Sequence, residues 1–227
     1  MSFAEIAVIR IAVFGGYLLG SINGAQFIHH VLRPFFPRHI TRVGTKIAGT
    51  QNVWVTIGKY PAIFVLAIDI LKGYFAVHIA RVFELETPLV LIAGVAAVVG
   101  HNWPLFFHFR GGRGVATLIG ALFALDVRIA AVIALAGQFF TLIRWSGIMP
   151  LAVIAGFAYL GYQSWGTTLI VLMAVAGIII IARRLHAYWP SFQKSKRKFW
   201  VLKNILWYDR PGANPPSLKE VFNLEKI

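Results

Sequence analysis

The sequence predicts an all-α integral membrane protein: a bundle of seven transmembrane helices, some short, with the N-terminus outside and the C-terminus in the cytoplasm. Three observations lead there. The 227 residues are 58% apolar and only 13% charged, with a mean hydropathy of +0.72, whereas a soluble domain is ~45–50% apolar and ~25% charged. Apolar runs of spanning or near-spanning length recur along the chain. The formal net charge of +14 is concentrated in alternate loops. So apolar a chain is excluded from the disordered and nucleic-acid-wrapping classes despite its basicity, and no nucleic-acid partner is expected. With no cysteine, disulfides, thiolate metal sites and cysteine nucleophiles are excluded.

Taken in order, a span needs ~17–25 apolar residues. Ile6–Ile28, Pro61–Ala80 and Pro88–Phe107 qualify. Met1–Glu5 lacks a basic leader and no cleavage site follows, so the first run reads as a retained helix rather than a signal peptide. From Val115 to Ala182 the apolar sequence is interrupted at Asp126–Arg128, Arg144–Gly147 and Tyr162–Gly166. These breaks leave Val115–Leu125, Ile129–Ile143, Ile148–Gly161 and Thr167–Ala182, short helices of a kind tolerated inside a bundle or where the bilayer thins. Merging them into five spans is the rival count. With seven, the inside loops and tail carry 18 of the 22 Lys and Arg residues, as the positive-inside rule requires. Residues 1–187 then form the transmembrane domain. Residues 188–227 form a basic, aromatic cytoplasmic tail that either lies along the membrane surface or docks a partner.

Chemistry is sought where loops combine glycine with cations. In His101–Thr117, Gly111, Gly112 and Gly114 allow tight turns and exposed N–H groups. Arg110 and Arg113 add positive charge, and Val115 opens a helix whose N-terminus favours an anion. Composition alone leaves a phosphate or carboxylate site and a plain positive-inside anchor equally open. The run Gly15–Ala25 offers small residues for close helix contact and two polar groups, Ser21 and Asn23. The loop Arg42–Asn52 is a second basic, glycine-containing candidate. Asp69 and Lys72 lie three residues apart on one helical face. Each would cost ~2.5–3.5 kcal/mol alone at a helix centre, so they are expected to pair or face the bundle interior; as a transporter signature they are weak. No nucleophile elbow, zinc motif, phosphate-binding Walker loop or His-x4-Asp pattern is present.

Gly100-His-Asn-Trp-Pro and Phe109-Arg-Gly-Gly-Arg-Gly-Val-Ala-Thr117 resemble the G-H-x-F-P-x-F-x-x-F-K-G-G-K-G-V-A-T pattern of the PlsY family, the bacterial acyl-phosphate:glycerol-3-phosphate acyltransferases. Tyr17–Ser21 and Leu66–Gly73 resemble two further family segments, and the likeness runs over roughly residues 6–187. It implies a seven-helix bundle in the bacterial inner membrane with its motif loops on the cytoplasmic side. The reaction implied is acyl transfer from acyl phosphate to glycerol 3-phosphate, giving lysophosphatidate. The partners implied are those substrates and membrane lipids, with no metal or other cofactor. The catalytic candidates implied are Thr45, Asn52, His101 and Arg113. Ser21, Asn23, Gly44, Gly49, Arg110, Gly111, Gly112 and Gly114 are the substrate-binding candidates.

The second family motif, G-S-G-N-x-G-A-T-N-V-x-R, here reads Gly44-Thr-Lys-Ile-Ala-Gly-Thr-Gln-Asn-Val-Trp-Val55. Lys46 stands where a glycine is expected, Ile47 replaces an Asn and Val55 an Arg. A family Ser after an Arg-aromatic pair is shifted to Ser146 or lost, and the Asn of a later run is Ala187. These departures motivate a second reading, a catalytically degenerate membrane subunit acting as a scaffold or assembly partner for other membrane proteins.

Overall fold

The structure, a computed structural model, describes residues 3–142 and 147–209; Arg144–Ser146, and with them the shifted Ser146, and tail residues 210–227 lie outside it. Every regular element in the described residues is helical. Four stretches are long and apolar enough to cross a membrane: Ile6–Val31, Lys59–Val82, Thr87–Phe107 and Met149–Lys194.

The first crossing is α1 (Phe3–Ser21) followed by α2 (Gly24–Val31). The break falls at Ile22–Asn23 because Asn23 is extended and its side-chain oxygen accepts the Gln26 N–H at 3.0 Å, capping α2. A short α3 (Thr50–Thr56) precedes α4 (Lys59–Val82) and α5 (Thr87–Asn102). The third apolar run thus leaves helix at Trp103 and ends in a 3-10 turn, Leu105–Phe107. α6 (Val115–Leu125) has the bounds expected from sequence. At about 1.5 Å per residue it is roughly 16 Å long, half a bilayer, and it survives because most of it is buried against neighbouring helices. The Asp126 carboxylate accepts the Arg128 N–H at 2.9 Å, separating α6 from α7 (Val127–Leu142).

α8 (Met149–Lys194) is helical throughout except at Gly166, whose φ of 65° and ψ of −162° turn the chain. Ile154 reaches Gly177 and Leu169 reaches Gly161. In a straight helix Ile154 and Gly177 would sit about 35 Å apart, so the two halves of α8 fold back on one another at Gly166. α8 also runs unbroken through residue 187, and α9 (Lys198–Tyr208) follows it. One face of α9 buries Val201 and Ile205 against Tyr188 and Ile47; Phe199, Trp200 and Trp207 remain exposed.

Glycine sets how closely the helices approach. A Cβ on Gly120 would strike the Ile70 carbonyl, and one on Gly73 the Thr117 carbonyl, so α4 and α6 touch backbone to backbone. Gly16 and Gly20 face Ala93 and Ala97 in the same way across α1 and α5. The small residues of the first helix therefore serve packing. Gly120→Val is expected to lower the thermal unfolding midpoint in detergent by the equivalent of ~1–3 kcal/mol of overpacking. Gly15→Ala, where a Cβ meets nothing within 4 Å, should leave it unchanged or slightly raised.

Candidate functional site

The break in the first crossing exposes a carbonyl, and a buried cation takes it. Lys72 Nζ donates to Ile22 O at 2.8 Å, pairs with the Asp69 carboxylate at 2.8 Å and lies 2.7 Å from His101 Nδ1. His101 Nδ1 is also 3.4 Å from Asp69. All three side chains are buried. Asp69 and Lys72 pair as expected, and His101 joins them, which their spacing did not reveal. The network fixes the end of α5 from which the glycine-rich loop departs.

That loop is held at several backbone points. Gly112 N–H donates to His101 O at 3.1 Å. Arg183, from α8, donates to Gly111 O at 2.9 Å and Gly112 O at 3.1 Å. Gln26 donates to Arg110 O at 2.5 Å. Gly112 admits no side chain, since a Cβ there would collide with the His101 ring and Ala48 O, and Gly114 has φ 77°.

The second loop packs alongside. Gly44 has φ 57° and Lys46 φ 61°, so Lys46 adopts the left-handed conformation that a glycine takes without strain. Asn52 accepts Thr45 N–H at 2.9 Å and donates to Ile40 O at 2.7 Å. Gly49 is extended and its carbonyl accepts the Asn52 and Val53 N–H groups of α3. Asn23 donates to Ala48 O at 3.4 Å. Ser21 donates to Tyr17 O at 2.9 Å and accepts Leu105 N–H at 3.3 Å. Asn52, Asn23, Ser21 and His101 are thus engaged in holding loops and helix breaks.

Arg113 and Arg110 face different surroundings. Arg113 forms an ion pair with Asp209, at the end of α9, and donates to Tyr188 Oη at 2.9 Å and Gln51 Oε1 at 3.3 Å. Arg184 lies 3.2 Å from the same carboxylate and donates to Gly147 O at 2.6 Å. Arg110 instead lines a cavity with α2 and the loop after it. Asp209, Tyr188 and Gln51 escaped the sequence reading because they lie 96, 75 and 62 residues from Arg113, and nothing local marks a partner at such separations. The position of Ile47 also becomes intelligible: it lies in the apolar cluster of Tyr188, Val201 and Ile205, with Ala187 against it. Two of the departures from the family pattern, Ile47 and Ala187, therefore fall where α9 is seated.

A bundle of long apolar helices carrying two glycine-containing, cationic loops defines the class as an integral membrane protein. The model of the glycerol-3-phosphate acyltransferase family matches residues 10–188. A glycerol-3-phosphate acyltransferase of Legionella pneumophila (strain Corby) is 39% identical over 154 residues, 66% of this chain and 53% of its own length. Glycerol-3-phosphate acyltransferase 2 of Moorella thermoacetica is 38% identical over 181 residues, 79% of this chain and 80% of its own. Among solved structures, PlsY (YgiH), an integral membrane glycerol 3-phosphate acyltransferase, aligns in its glycerol 3-phosphate form with a TM-score of 0.66 and 30% identity, over 78% of this chain and 88% of that one. Its lysophosphatidic acid form aligns with a TM-score of 0.69 and 26% identity, over 95% and 98%. The match to the Legionella relatives spans about half of their length. The chain belongs to the glycerol-3-phosphate acyltransferase family. None of these likenesses supports a degenerate scaffold subunit.

Asp69→Asn leaves the Lys72 charge buried without its partner, and a loss of ~3–5 kcal/mol is expected. Chemical or thermal unfolding in detergent measures it; the double variant Asp69→Asn with Lys72→Met should recover part of the loss.

Proposed function

We propose that the protein transfers an acyl group from acyl phosphate to the 1-hydroxyl of glycerol 3-phosphate in a bacterial inner membrane, forming lysophosphatidate and phosphate. One observation carries this beyond family membership. Arg113, Arg183 and Arg184 gather around the glycine-rich loop with Asp209 as the one carboxylate paired with them among the described residues. The cluster keeps positive charge for a phosphate, and guanidinium groups match phosphate geometry.

In the reaction the glycerol hydroxyl oxygen attacks the acyl carbon. The new C–O ester bond forms as the acyl–O–P linkage opens at carbon. Phosphate leaves with its oxygen, and the hydroxyl proton passes to that departing phosphate. The acyl phosphate is already activated, so the chain needs chiefly to position both substrates and stabilise developing charge. Arg113 is the cation that meets the reacting phosphate. Gly44, Thr45 and Gly49 form the opposing loop, with the Thr45 hydroxyl as a donor. Gly111, Gly112 and Gly114 allow the loop backbone to come close. Asn52, His101, Ser21 and Asn23 are positioning residues that fix these loops through the bonds described above.

Counting the two halves of α8 as separate crossings gives seven, with the N-terminus outside, the motif loops cytoplasmic and residues 188–227 as a tail on that side. The support is the charge asymmetry of the loops and the reversal at Gly166.

Release of phosphate from palmitoyl phosphate plus glycerol 3-phosphate tests the reading. The purified chain should turn over, and Arg113→Ala should lower kcat/KM by about 10²-fold or more, with partial retention in Arg113→Lys. Absence of phosphate release across pH and lipid conditions overturns it.

A further inference from the structure

A second cationic feature lies outside the cluster around Arg113. Between α2, the loop after it and the 3-10 turn Leu105–Phe107 is a cavity of about 800 Å³. Arg33, Arg38, Arg42 and Arg110 line it, and none of them forms an ion pair among the described residues. His29, His30 and His39 complete the wall.

The scaffold of this cavity is built, although its arginines are exposed. His29 is buried and its Nε2 lies 3.2 Å from Arg38 O, while His39 Nδ1 lies 2.8 Å from Thr41 Oγ1. The two imidazole rings stand 4.9 Å apart. Gln26, also buried, fixes Arg110 through its carbonyl. Burial, and then the positive charge of His29, Arg42, Arg110 and Arg33, hold the His39 imidazole below its ordinary value. Four like charges around one space repel each other, and a multiply charged anion relieves that repulsion more than a singly charged one. On the same segment Phe27, Val31, Phe35 and Phe36 are exposed, which gives an apolar surface next to the cationic one.

We propose that this cavity is a second phosphate site, distinct from the one at Arg113, and that it selects a doubly charged phosphate monoester over a singly charged diester. Two sources share that chemistry: the head of a lysophosphatidate-type lipid, whose chain would lie along the exposed apolar residues, and free phosphate. Naming lysophosphatidate rests on the function proposed above; the site itself rests on the cavity and its cations.

Isothermal titration of the full chain in uncharged detergent tests it, with short-chain lysophosphatidate as probe. In an Arg113→Ala background one equivalent should still bind. Adding Arg33→Gln and Arg38→Gln, both at exposed positions, should weaken that binding about tenfold or more, the loss of charge-assisted hydrogen bonds. With Arg113 intact, the same pair should lower the stoichiometry from two to one. Lysophosphatidylglycerol, a diester, should bind several-fold more weakly than lysophosphatidate. Inorganic phosphate binding as tightly as lysophosphatidate assigns the free ion; tighter lysophosphatidate assigns the lipid head. No saturable binding in the Arg113→Ala chain, binding unchanged by the Arg33 and Arg38 substitutions, or equal binding of the diester overturns the proposal. Phosphate release by the unsubstituted chain is read in parallel. Its absence overturns the acyl-transfer reading and leaves a titratable second site standing, whereas turnover without a second site overturns only this inference.

Discussion

The ammonium of Lys72 is the point on which the arrangement turns. A charge sealed within a helical bundle persists only if it is paired and hydrogen-bonded, and here the partners come from separate elements. Asp69 lies on the same helix, the Ile22 carbonyl comes from the break between α1 and α2, and His101 comes from the end of α5. The interrupted first crossing and the buried lysine each supply what the other lacks: a helix break in a membrane leaves an orphan carbonyl, and the ammonium needs an acceptor. Three helix segments are thereby set relative to one another before any loop is considered.

From that anchor the glycine-rich loop is constrained at both ends. His101 holds its start through a backbone bond, Arg183 grips its two central carbonyls, and Gln26 fixes Arg110. The result separates the two arginines. Arg113 faces α8 and α9 with Asp209 and Tyr188, and Arg110 faces α2. The loops supply the candidate surface, while side chains of the helices fix it in place through its backbone carbonyls.

Much of this was legible in the sequence. Apolar run length located α4 and α6 almost to the residue, because a helix that is apolar both where it packs and where it faces outward reads as one uninterrupted apolar run. Asp126 and the Tyr162–Gly166 interruption marked turns that exist. The positive φ at Lys46 followed from a glycine being expected there. What the sequence concealed is long-range. Nothing in the Ile6–Ile28 run announces that Asn23 caps a new helix, since an Asn in an apolar run reads equally well as an interhelical hydrogen-bonder. Grouping Arg110 with Arg113 was natural at three residues' separation, yet the stretch between them, held at the Gly111 and Gly112 carbonyls by Arg183, presents them to different surroundings. The pairing of Arg113 with Asp209 depends on α9 folding back, which no local pattern encodes.

Ile47 links the loop to that returning helix. It sits in a left-handed turn's shadow, one residue after Lys46, and its side chain is buried beneath Val201 and Ile205. Any opening of the loop that lifts Ile47 from this seat exposes apolar surface worth about 1.5–3 kcal/mol. Such a step carries a positive heat-capacity change. Its equilibrium constant therefore follows a curved rather than linear van 't Hoff plot, and the apolar hold on the loop weakens as the temperature falls.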